Sequence, residues 1–218
     1  MSRKKTVFPA HGRNARRRHR RRTKRYLVVC GGEVTERLYF ERLALRNNVT
    51  IDVQSKKRSP SQLAQYAVAL KQVDDRENDR PDRYSAIFVV VDVDDFHDHG
   101  DAQRICRQNS IQLVISNPCF EVWLIDHVRP CPDSYDTTSY VEDYAAELKV
   151  VTGQRNKYID FSYIDGHLRD AIENAKRHNT DTRLLARRQL APNHEVKYAP
   201  WTDMVDVVNS IIRPTDRA

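Results

Sequence analysis

A chain of 218 residues with 39% hydrophobic content is long enough to bury one core, or one core with a small appended lobe. No apolar run approaches the roughly 18 residues of a membrane span, and no apolar signal core follows the basic N-terminus, so a cytoplasmic protein without a membrane partner is expected. The net charge of +7 is unevenly placed: residues 1–25 hold 12 Lys or Arg and no acid, which leaves 25 basic and 30 acidic residues in the remainder.

In chain order the first expected unit is a disordered basic tail, 1–25. Its dense block RRRHRRRTKR carries Arg16, Arg17, Arg18, Arg20, Arg21, Arg22, Lys24 and Arg25. Like charges repel along such a block and nothing apolar is available to bury, so it does not fold on itself. Its cations suit the phosphates of a nucleic acid, DNA or RNA, with an affinity that falls as salt rises. The plainer reading is a solvated arm with weak affinity for any polyanion.

From Tyr26 the pattern alternates. Tyr26–Cys30 is a strand, and Thr35 is placed to cap a helix that runs to about Arg46. Val49–Val53 is a second strand. Ser59, Pro60 and Gln62 supply a serine cap, a first-turn proline and a capping-box glutamine for a helix with Leu63, Tyr66, Ala67, Leu70 and Val73 on one face. Residues 74–83, DDRENDRPDR, read as a charged surface loop. Ala86–Val91 is apolar throughout, as a strand buried on both faces would be. A helix at Asp101–Asn109 and a strand at Ile111–Ile115 follow, and Pro118 can open the helix CFEVWLIDH. This order predicts an α/β core over 26–130, with a mainly parallel sheet flanked by helices. After it the strand signal fades, and 131–218 reads as a helical C-terminal extension. The scattered Cys30, Cys106, Cys119 and Cys131 form no CxxC pair and are expected as buried free thiols.

Parallel sheets build sites outside the carboxyl ends of their strands, and three such ends carry polar clusters. Gly31, Gly32 and Glu33, with Glu36, follow the first strand. Asp92 and Asp94 follow the third, in VVVDVDDFHDHG. Asn117 and Glu121 follow the fourth. Residues two apart in an extended chain share a side, so Asp92 and Asp94 can converge. Two neighbouring carboxylates repel unless a cation lies between them, and Mg2+ takes oxygen ligands of this kind. The bland alternative is a polar loop of solvated turn formers. Glu121, among Phe120 and Trp123, needs a partner; a structural hydrogen bond and a catalytic role fit equally. His97 and His99 are a weak zinc signal. The P-loop, dinucleotide-binding and G-x-S-x-G motifs are absent, which disfavours P-loop nucleotide, redox and serine-nucleophile chemistry.

YLVVCGGEVTERLYFERL, FVVVDVDDF and ISNPCFEVWLIDH appear in the order and rough spacing of the RloB-like family, which this chain resembles over about 25–130 and more weakly through NKYIDF and AIENAKRH. That family is similar to Toprim-type nucleases. The resemblance implies a Toprim-like fold, a bacterial anti-phage setting with abortive infection, and a partner ATPase from the same locus. It implies Mg2+ or Mn2+ held by Glu33, Asp92 and Asp94, with Glu33, Asp92, Asp94 and Glu121 as catalytic residues for hydrolysis of a phosphodiester. One departure stands out. The family motif reads C-E-G-E-x-T-E, and Gly31 occupies the place of its first glutamate. A nucleic-acid-binding or adaptor protein with a degenerate site is the alternative, and the same acids would also serve a phosphatase or a primase-like transferase.

Overall fold

The computed structural model describes residues 23–93 and 96–212. The alternation expected from sequence is present: β1 (Arg25–Cys30), α1 (Thr35–Asn47), β2 (Thr50–Ser55), α2 (Pro60–Glu77), β3 (Ala86–Asp92), α3 (His99–Gln108) and β4 (Gln112–Asn117). The four strands are parallel and lie in the order β2-β1-β3-β4. Cys30 pairs with Ser55 on one side and Val90 on the other, and Asp92 pairs with Ser116. Side chains leave a strand alternately to its two faces. Tyr26, Val28 and Cys30 of β1 accordingly enter one apolar cluster with Phe88 and Val90 of β3. Leu27 and Val29 enter the other, with Ile87, Val89 and Val91. The first cluster is covered by Tyr39 and Phe40 of α1, the second by Leu63, Ala64 and Ala67 of α2 and Ala102 and Cys106 of α3. The result is a mainly parallel α/β sheet with helices on both faces.

The rest of the chain forms α4 (Glu121–Asp126), α5 (Thr138–Glu147), β5 (Val151–Thr152), β6 (Tyr158–Ile159), α6 (Phe161–Ile164), α7 (Leu168–His178), α8 (Asp181–Gln189), β7 (Trp201–Thr202) and α9 (Met204–Ile211). It is largely helical, as expected, but it also completes the main sheet. β7 runs antiparallel to β4, with Thr202 opposite Ser116. Asp203 fixes this edge by accepting the Ile115 N–H at 2.9 Å and the Trp201 indole N–H at 2.7 Å, and Arg187 pairs with the same carboxylate. Asn179 brackets Thr202, donating to its carbonyl at 2.7 Å and accepting its N–H at 3.1 Å. Beneath this segment Asp126 of α4 meets His178 of α7 at 2.9 Å with both side chains buried, and the Asn174 amide donates to the Asp126 carbonyl at 2.8 Å. Burial pushes the Asp126 carboxyl upward against the pull of His178.

An expectation about the α2–β3 connection is corrected here. Residues 74–77 are helix, not loop: α2 continues through Glu77. The buried Asp74 carboxylate makes this extension by accepting from the Arg25 guanidinium at 3.2 Å, the Asn78 amide at 2.8 Å and the Tyr84 N–H at 2.9 Å. A charged string conceals an anchor of this kind, because its partners are far away in sequence. The four cysteines are free and buried.

Candidate active site

The α1 crossover carries the chain from β1 out to β2, and the α2 crossover carries it back past β1 to β3. The sheet order therefore reverses between β1 and β3, and the crevice outside their carboxyl ends is where open α/β sheets hold ligands. Cys30, Gly31 and Gly32 leave β1 at this point, and Asp92 ends β3.

Two acids follow the glycines, and the structure separates them. Glu33 is exposed, whereas Glu36 is buried in the first turn of α1 and accepts the Gly32 N–H at 2.9 Å. A Cβ on Gly32 would overlap the Glu36 carboxylate, so the inward turn of this acid requires glycine there. Thr35 is the first helical residue rather than the cap, and its hydroxyl donates to the Lys157 carbonyl at 3.2 Å. Burial pushes the Glu36 carboxyl up to about 7, with the Glu121 charge adding to the rise and the Gly32 N–H and Lys157 opposing it.

Glu121 opens α4 with only 3% of its surface exposed. Its partner is Lys157, whose Nζ lies 3.6 Å from Glu121 and 2.8 Å from Glu142. Burial pulls the Lys157 ammonium down, but Glu121 and Glu142 outweigh it and hold the cation charged. Asp92 completes the group electrostatically. Cys30 feels Glu36 and Asp92, and Cys119 feels Glu121 and Asp92, so the three acids share two buried thiols as neighbours. Burial raises Cys30 to about 12 and Cys119 well above its ordinary value, which removes both as thiolate nucleophiles. The loop after β4 is tied to the end of β3 by the Val93 N–H, which donates to the Pro118 carbonyl at 2.9 Å.

The other sequence candidates fall elsewhere. Asp94 and Arg16, Arg17, Arg18, Arg20, Arg21 and Arg22 lie outside the described residues, and Lys24 is exposed. Arg25 is occupied by Asp52 and Asp74, and stacks on Tyr84 at 4.4 Å. His97 bonds Glu195 at 3.0 Å, while His99 donates to the Asp92 carbonyl at 2.8 Å, so the two rings serve different partners. Asn117 donates to the Glu195 carbonyl at 2.8 Å. Among the described residues, no group of three or more His, Cys, Asp or Glu side chains is arranged to hold a metal ion. A cavity of about 1140 Å³ lies away from the acids, lined by Leu43, Arg46 and Asn47 near the far end of α1 and by Val208 of α9. Lys157 gave no sequence signal. Glu36 did, as an acid four residues after a glycine at a helix start.

These features define an α/β protein with an acidic site at the switch point of a mainly parallel sheet. The chain belongs to the RloB-like protein family, whose model matches residues 26–211. No curated protein and no solved structure matched it.

Proposed function

We propose that the chain is a Mg2+- or Mn2+-dependent, Toprim-type nuclease that hydrolyses phosphodiester bonds of DNA or RNA in a cytoplasmic abortive-infection response, alongside a partner ATPase. The observation that carries this reading is the burial of Glu36 and Glu121 within electrostatic reach of each other at the strand ends, with Glu36 pushed up to about 7 and Asp92 ending β3. The donors are hard carboxylate oxygens in surplus over their one lysine, which suits a divalent cation that needs only one or two protein carboxylates. Asp92 with Glu36 or Glu121 would hold it, and the exposed Glu33 stands on the loop between β1 and α1. Such a cation, when bound, stabilises charge on the phosphate and on the leaving oxygen. Glu36 changes protonation near neutral pH, so its carboxyl is suited to take a proton from an attacking water. Lys157 pairs with Glu121 and sets a positive charge beside the acids.

The test is a metal panel against DNA, total RNA and tRNA, with shortened strands as the expected product. Asp92→Ala and Glu36→Gln should each lower cleavage at least about 100-fold. Full cleavage by an Asp92→Ala, Glu121→Gln double variant would exclude the assignment. A second reading has support from Gly31, which supplies no carboxylate, and from the lack of a three-donor cluster among the described residues. On that reading the chain binds nucleic acid without cutting, and salt-sensitive binding with no turnover under any metal is its signature.

A further inference from the structure

The loop joining β2 to α2 carries Lys56, Lys57 and Arg58, the longest unbroken run of cations among the described residues. It leaves the sheet at the same carboxyl edge as the acids. Ser55 pairs with Cys30, and the Lys56 N–H donates to the Cys30 carbonyl at 3.0 Å, immediately before Gly31 and Gly32. All three side chains are exposed. Among the described residues no carboxylate pairs with any of them, whereas Arg37, Lys71, Arg104 and Lys176 are each matched by a nearby acid. The loop is also supported from below. The Lys56 ammonium lies 5.9 Å and the Arg58 guanidinium 5.5 Å from the Tyr66 ring centre, so one aromatic of α2 steadies both. Asp98 reaches across to the α2 start, accepting from the Ser59 hydroxyl at 2.7 Å and the Ser61 N–H at 3.1 Å.

Unpaired cations beside an acidic site attract a ligand that carries negative charge beyond the reacting group. We propose that Lys56, Lys57 and Arg58 grip the phosphate backbone of a polynucleotide next to the bond presented to Glu36, Asp92 and Glu121. The substrate class is then a nucleic-acid strand rather than a mononucleotide or a phosphomonoester. This rests on the nuclease reading for the site itself, but the grip is measurable without turnover.

The experiment is lysine footprinting of the full chain by acetylation and mass spectrometry, without divalent metal, with and without a single-stranded oligonucleotide. Each lysine is read separately, so binding by the basic tail does not mask the result. Lys56 and Lys57 should become several-fold less reactive on binding, while Lys176, beside the cavity at the far end of α1, stays unchanged. In a Lys56→Ala, Lys57→Ala, Arg58→Ala variant the slope of log affinity against log salt should fall by about two. Where cleavage is present, KM for an oligonucleotide should rise about tenfold, by more than kcat falls. Unchanged reactivity at Lys56 and Lys57 with the oligonucleotide bound overturns the grip, whether or not the protein cuts. Protection of both lysines with no cleavage under any metal supports the grip and removes the nuclease reading instead.

Discussion

Replacing Glu36 by glutamine keeps an acceptor for the Gly32 N–H and fixes the side chain neutral. In the folded chain Glu36 takes up its proton at about 7, against an ordinary value of 4.5. Between those values the folded state binds more protons than the unfolded one, so stability is full below pH 4.5 and falls as pH rises to about 7. At about 1.4 kcal/mol for each pH unit that the midpoint moves, ionising Glu36 in place costs on the order of 3 kcal/mol. The glutamine avoids that cost. Urea unfolding of both proteins, metal-free and at constant ionic strength, measures it directly. The two should be equally stable below pH 4.5, and Glu36→Gln should be more stable by roughly 3 kcal/mol at about pH 8. Taking the difference cancels other shifted groups such as Asp126 and His127. A difference that stays constant across the range would refute the placement of Glu36 as a buried carboxyl held near neutrality.

Gly32→Ala should displace the Glu36 carboxylate, costing about 1–3 kcal/mol in urea unfolding and flattening the same pH dependence. Gly31→Glu should fold normally, within about 1 kcal/mol of the parent, because the nearest atom to an added Cβ is Leu63 Cδ1 at 3.9 Å. It should also tighten Mn2+ binding in calorimetry; unchanged affinity would place its side chain outside the site. His178→Ala leaves the buried Asp126 carboxylate with the Cys131 N–H but without its side-chain partner and should destabilise by about 3–5 kcal/mol, whereas a cost below about 1 kcal/mol would show that α4 and α7 do not depend on the pair.

The parallel strands were legible because burial on both faces writes each of them as a short apolar run, as in Val89–Val91. The proline and glutamine at the start of α2 marked that helix equally well, and Gln62 does accept the Ser59 N–H at 3.3 Å. β7 was not legible, since two residues cannot display a period. The end of α2 was hidden because the burial of Asp74 depends on Arg25, 49 positions earlier. At the site, composition pointed to the strand ends where acids gather, but not to which glutamate is buried. Glu33 and Glu36 both look available in the sequence; helix phase and the bare backbone of Gly32 decide which one turns inward. Lys157 arrives beside Glu121 from the turn of the small β5–β6 hairpin, a placement that no local pattern encodes.

The late arrival of β7 bears on how the chain is made. Ser116 and Thr202 bond each other at 3.1 Å across 86 positions of sequence. A ribosome adding roughly 5–20 residues per second needs on the order of ten seconds to cover that stretch. During this interval the nascent polypeptide can already form four parallel strands, with the rim of β4 still uncovered. Exposed strand rims recruit other chains. Until Trp201 and Thr202 emerge, the Ser116–Asn117 end of that rim lacks its antiparallel partner, so a chain ended just ahead of Trp201 is expected to aggregate more readily than the full one.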